Sequence, residues 1–161
     1  EHIEDKNFVS PSFSQGASLS RLFTFLVRKH WRYKKDIFNP FNPFFVSFEP
    51  AQESKTDNYN TYGIYTTKGN DPVPIVPLGL TGWNQSGVHA HLTGKNGVAL
   101  IEPKKYKVWL DRASDSVMDL KDRLEGEKVP LDHNISRIKL DWGKPKNQEK
   151  IIKVCKSFGL K

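Results

Sequence analysis

The chain of 161 residues holds one cysteine, Cys155, and one methionine. A single thiol excludes an internal disulfide framework and a cysteine-rich zinc site. It fits a reducing compartment rather than a secreted protein. No apolar run approaches the roughly 18 residues of a membrane span, and no signal peptide opens the sequence. A membrane partner is therefore not expected. Internal repeats and low-complexity tracts are absent too. Acids are in the minority, with 18 Asp plus Glu against 25 Lys plus Arg, for a formal net charge of +7. That excess suits a polyanionic partner, and it equally suits plain solubility. What is present, 37% hydrophobic and 12% aromatic residues, supports one folded domain over 1–161.

LFTFLV (22–27) is apolar throughout and predicts a buried strand, with HWRYKK continuing or pairing with it. DIFNPFNP carries two Asn-Pro pairs and predicts a loop. FFVSF (44–48), TYGIYTT (61–67) and GVALI (97–101) read as strands, and so does VPIVPL (73–78), which its prolines confine to an edge or an irregular region. LTGWNQSGVHAHLTGKNG predicts a long glycine-rich loop with room for one helical turn. Pro103 opens a short helix, and SVMDLKDRL (116–124) predicts a second. There Ser116 and Asp119 fit a capping box, with Val117, Leu120 and Leu124 on one face. HNISRIKL (133–140) reads as a strand. NQEKIIKVCKSF is the clearest helix, because Ile151, Val154, Cys155 and Phe158 repeat at i, i+3, i+4, i+7. Strands first and helices late predict an α+β domain rather than a doubly wound one.

Three groups of residues invite a chemical reading. His89 and His91 are two apart, so on a strand they face one side and can serve a metal or a nuclease. No third ligand and no placed tyrosine stands near them, so no metal and no cofactor is expected. Cys155 lies on the apolar face of the last helix and reads as a core residue. The basic residues Arg21, Arg28, Lys29, Arg32, Lys34 and Lys35 can line a nucleic-acid groove in which Trp31 or Tyr33 stacks on a base. The alternative is a solvated charged face.

Taken in order, HIED, Ser12-Phe13, RLFTFLVRKHWRYKK, NPFFVSF, YGIYT, VHAHLTGKNGVALIEP, WLDRASDSVMDLKDRL and HNISRI resemble the SRAP family, the SOS-response-associated peptidases that protect abasic sites in single-stranded DNA. The resemblance spans nearly the whole chain, although no single motif is intact. It implies a curved, mostly antiparallel, barrel-like sheet with peripheral helices, in a chain missing the family's N-terminal section. Arg32 stands where the family places a catalytic glutamate between two aromatics. A guanidinium cannot act as a general base near neutral pH, but it can bind phosphate. Residue 1 is Glu where the family has its nucleophilic cysteine, and His2 falls where an arginine is expected. Of the catalytic set only a histidine persists, as His89 with His91 in reserve, and Lys95 takes the place of a later arginine.

The function this implies is binding of single-stranded or abasic DNA by a monomer that has lost the covalent chemistry. His2, Arg21, Arg28, Trp31, Arg32, Lys34 and Lys95 would form the DNA-binding set. Two alternatives stay open. One is an active cross-linker or autopeptidase whose cysteine lies upstream of Glu1. The other is a protein-interaction module that retains the scaffold alone.

Overall fold

The computed structural model describes residues 7–33, 42–48, 50, 63–75, 87–128 and 133–158. Five strands form one sheet in chain order: β1 (Asn7–Phe13), β2 (Asn42–Phe48), β3 (Gly63–Lys68), β4 (Val88–Leu92) and β5 (Ala99–Ile101). The first four run parallel and β5 turns back antiparallel onto β4. The four helices are α1 (Ser14–Tyr33), α2 (Lys105–Leu124), α3 (Ile135–Trp142) and α4 (Pro145–Ser157). The protein is thus mixed α/β. The expected mostly antiparallel sheet is corrected to a mostly parallel one. Parallel pairing needs long crossovers, and α1 supplies the first of them. Among the described residues the sheet is open, with β1 and β5 as its edges.

Helices cover both faces, as parallel strands require. On one face Phe44, Ile64 and Ala90 pack with Ile151 of α4. Beside them Leu92 and Ala99 pack with Ile138 of α3, and Trp142 joins the two groups. The other face carries Phe45, Ser47, Tyr65, Thr67, His89 and His91, the alternate residues of β2, β3 and β4. It meets α1 and α2 through polar and aromatic contacts. Ser47 Oγ donates to the Ala17 carbonyl (3.3 Å), and the Arg21 guanidinium lies over the Phe45 and Tyr65 rings.

Several expected elements change. LFTFLV and the residues up to Tyr33 are helix, not strand, because the buried face of α1 is Ala17, Ser20, Arg21 and Thr24, at i, i+3, i+4, i+7. VHAHL is strand β4, not loop, and is held by register pairs such as Tyr65 with His89 and Ala90 with Ile101. Residues 133–140 are not a strand: the Asn134 side chain accepts from Ser136 N (2.9 Å) and opens helix α3. The two helices expected between 103 and 124 are one continuous helix of 20 residues. Val73–Ile75 is a 3-10 turn in place of the edge strand. The strands over 44–48, 63–67 and 99–101 and the last helix stand as expected. Among the described residues no helix is long and apolar enough to cross a membrane.

Candidate active site

β1 runs directly into α1 through Ser12-Phe13-Ser14-Gln15-Gly16. At this junction Ser14 has φ 55°, a left-handed backbone for a residue that is not glycine. Such a conformation costs about 1–3 kcal/mol and persists only where the surroundings hold it. The turn sets Ser14 at the carboxyl end of β1, half-buried, on the first residue of a helix.

Asp71 arises from a second strand end. After β3, Gly69 takes φ 43° and donates its N–H to the Leu92 carbonyl (3.0 Å), so the chain turns sharply. The turn is then fastened to α2. Arg112 Nη1 donates to the Asp71 carbonyl (3.0 Å), Asn70 N to Asp115 Oδ2 (3.2 Å), and Asn70 Nδ2 to Asp119 Oδ2 (3.0 Å). The Asp71 side chain is buried, and its Oδ1 accepts from Val73 N (2.9 Å).

His133 completes the group from a third place, immediately before the Asn134 cap of α3. Its Nδ1 lies 2.6 Å from Asp71 Oδ2, and its Nε2 lies 3.0 Å from Ser14 Oγ. The Phe13 ring packs against the imidazole at 4.6 Å between centroids. Since the carboxylate only accepts, Nδ1 carries a hydrogen, and in the neutral imidazole Nε2 accepts from the Ser14 hydroxyl. Three residues remote in sequence thus make one directed chain, Ser14 to His133 to Asp71. It can draw the proton from the serine and stabilise the resulting imidazolium.

No family model, no curated protein and no solved structure matches the chain.

A second polar array lies on the sheet face that α1 and α2 cover. Thr67 Oγ1 is 2.8 Å from both His89 Nε2 and His91 Nδ1, and His91 Nε2 is 2.9 Å from Asp111 Oδ2 of α2. Gly94 N also donates to that carboxylate (3.1 Å). The two histidines do face one side, with ring centroids 6.0 Å apart. Burial, then the neighbouring His91, Arg112 and Arg21, push the His89 pKa down to about 3. Burial lowers that of His91 as well, outweighing the opposing hydrogen bond and charge of Asp111. Both rings are therefore neutral at pH 7. The directions follow: His91 Nε2–H donates to Asp111, the Thr67 hydroxyl donates to His91 Nδ1, and His89 Nε2–H donates to Thr67. His91 is fully buried and Thr67 nearly so. The array ties β3 and β4 to α2. No cluster of three or more His, Cys, Asp or Glu arranged to hold a metal occurs among the described residues.

The residues expected from sequence are scattered. Arg21 is only 2% exposed, and its two rings are Phe45 and Tyr65. It meets His89 indirectly, because Tyr65 stacks on His89 at 4.6 Å and 8°. Lys95 is exposed on the turn between β4 and β5. Arg28, Trp31 and Arg32 fall in the last turns of α1, so helical backbone replaces the strand expected to frame Arg32. His2 and Lys34 lie outside the described residues. Cys155 packs against the core from α4, where burial raises its thiol pKa, as a core residue requires.

Sequence reasoning missed Ser14, Asp71 and His133. A signal for Ser14 alone is present as Ser-x-Ser-x-Gly over 12–16, ahead of the run that predicts a strand. The G-x-S-x-G pattern needs a small residue two before the nucleophile. Ser12 meets that need, its hydroxyl 3.4 Å from Ser47 of the adjoining strand.

Proposed function

We propose that the protein is a serine hydrolase of acyl esters or chemically similar acyl compounds, with Ser14 as nucleophile, His133 as general base and acid, and Asp71 as the residue that orients His133. The single observation that carries this reading is the hydrogen-bonded chain Ser14–His133–Asp71, with Ser14 at φ 55° on a strand-to-helix turn. A strained turn of this kind lifts a nucleophile clear of the sheet. The chain order Ser, Asp, His is that of α/β-hydrolases. Further support comes from position, since Ser14 and Asp71 follow the carboxyl ends of parallel strands, where open α/β sheets bind their ligands.

The chemistry follows from the geometry. Ser14 Oγ attacks the acyl carbonyl while its proton passes to His133 Nε2. Asp71 Oδ2 holds the Nδ1–H and stabilises the imidazolium, and Val73 N keeps that carboxylate in place. Charge gathers on the carbonyl oxygen, where the backbone N–H of Gln15, the residue after Ser14 in the first turn of α1, is a candidate donor. His133 then protonates the leaving group, and water hydrolyses the acyl-serine by the same steps in reverse.

An alkyl fluorophosphonate probe tests the reading. It should attach to Ser14, and Ser14→Ala should abolish both the labelling and p-nitrophenyl acetate hydrolysis. A folded protein that resists the probe, or labels elsewhere, would overturn the proposal.

A second reading follows the SRAP resemblance: binding of single-stranded or abasic DNA without a covalent product. It draws on the net charge of +7 and the exposed Lys95. Binding should then weaken steadily as salt rises, with a slope of about −0.7 per phosphate contacted. Absence of binding at low salt would remove it.

A further inference from the structure

α2 is built inside out. None of its residues is buried, and the side turned toward the protein carries Asp111, Arg112, Asp115 and Asp119. The opposite side carries Tyr106, Leu110, Ala113, Val117, Leu120 and Leu124, spaced 4, 3, 4, 3, 4. At about 100° per residue these six fall within roughly 80° of arc, the narrow a/d seam of a coiled coil. Five of them are strongly exposed: Tyr106 54%, Leu110 54%, Val117 67%, Leu120 59% and Leu124 80%. Trp109, 67% exposed, borders the seam.

The seam's flanks are basic. Lys107 and Lys121 run along one side, Lys105 and Arg123 along the other. The acids within the helix face inward, and Glu125, past its end, stands 3.8 Å from Lys121. We infer that this face docks an amphipathic helix of another protein, with apolar residues at a and d and acidic residues at the flanking e and g positions. The narrow stripe favours a helix over a lipid surface, which takes a wider apolar face. The flanks disfavour a second copy, since pairing two such helices sets Lys and Arg against Lys and Arg.

Two synthetic 21-residue helical peptides test this, both with Leu at a and d, one with Glu and the other with Lys at e and g. The whole chain should bind the Glu peptide at least about tenfold more tightly than the Lys peptide. Lys107→Glu with Lys121→Glu should reverse that order, and Leu110→Glu with Leu120→Glu should abolish binding. These positions are exposed, so circular dichroism should be unchanged in both variants. Equal affinity for the two peptides, or none for either, overturns the inference. So does a dimer in sedimentation that Leu110→Glu with Leu120→Glu dissolves, or binding to phosphatidylserine vesicles without peptide binding.

Discussion

Replacing Asp71 by Asn changes one atom and tests the proposed catalytic geometry. Asp71 Oδ1 accepts from Val73 N at 2.9 Å, and Oδ2 accepts from His133 Nδ1 at 2.6 Å. An amide has one acceptor oxygen and one NH2 group. The Val73 N–H is fixed in the backbone, so the oxygen must stay there and the NH2 must face His133. Nδ1 can answer only as an acceptor, which moves the imidazole hydrogen to Nε2, opposite Ser14 Oγ. In that tautomer His133 cannot take the serine's proton. Loss of the correct tautomer in a Ser-His-Asp triad costs about 10⁴ in kcat, or roughly 5.5 kcal/mol of transition-state stabilisation at 1.36 kcal/mol per decade. Initial-rate hydrolysis of p-nitrophenyl acetate by Asp71→Asn should therefore fall by about four decades. The shape is retained, so thermal unfolding should move little. A loss smaller than tenfold, in a protein with unaltered circular dichroism, would refute the assigned role of Asp71.

Stability should fall as the medium is acidified from about pH 6.5 toward pH 3. The pKa of His89 is near 3 when folded against 6.5 unfolded, so acid protonates the unfolded chain first. Urea titrations at pH 7 and pH 5 should show this drop, and His89→Gln should reduce it. Asn147 is 2% exposed, accepts from Ala99 N (2.8 Å) and donates to the Gly97 (2.7 Å) and Asp141 (2.8 Å) carbonyls. Asn147→Leu strands all three backbone groups and should cost about 3 kcal/mol or more, read as a lowered urea midpoint. Lys68 is buried against Asp141 at 2.7 Å, so Asp141→Asn leaves an unpaired interior cation and should cost about 3–5 kcal/mol in the same assay.

How much of this was legible in the sequence depends on which way each apolar residue points. FFVSF, GIYTT and the last helix were readable because their apolar residues do face the core, as Phe44, Ile64 and Ile151 show. In α1 the rule inverts. Leu19, Phe23 and Leu26 are 63%, 47% and 51% exposed, while Ser20, Arg21 and Thr24 are buried. A periodicity argument assigns such a helix the wrong inner face, and the β-branched and aromatic residues of LFTFLV then suggest a strand. In α3 Ile138 is buried while Ile135 and Leu140 are exposed, so the Asn134 cap was the better signal. β4 escaped because its interior includes His91, whose burial is stabilised by Thr67 and Asp111, partners no local pattern reveals. The candidate site was hidden for the same reason. Ser14, Asp71 and His133 meet only through the parallel order of the sheet, which an antiparallel expectation pulls apart.

The two faces of the sheet accordingly do different work. Beneath α3 and α4 aromatic rings pack together, Phe44 with Phe158 at 5.1 Å and Phe48 with Trp142 at 4.9 Å, around the hydrogen-bonded Asn147 and the Lys68–Asp141 pair. Packing of this kind supplies stability and tolerates small shifts when volume is conserved. Beneath α1 and α2 the contacts are directional: Ser47 to Ala17, Asp111 to His91, Arg112 to the turn at Asp71. Directional bonds fix positions more narrowly than apolar contact does, and leaving one partner unsatisfied is costly. Ser14 is set by the β1–α1 junction, Asp71 by its ties to α2, and His133 by the α3 cap and the Phe13 ring. Each member of the triad thus has its own anchor. A substitution at Arg112 should therefore disturb Asp71 and slow hydrolysis while leaving Ser14 and its turn in place.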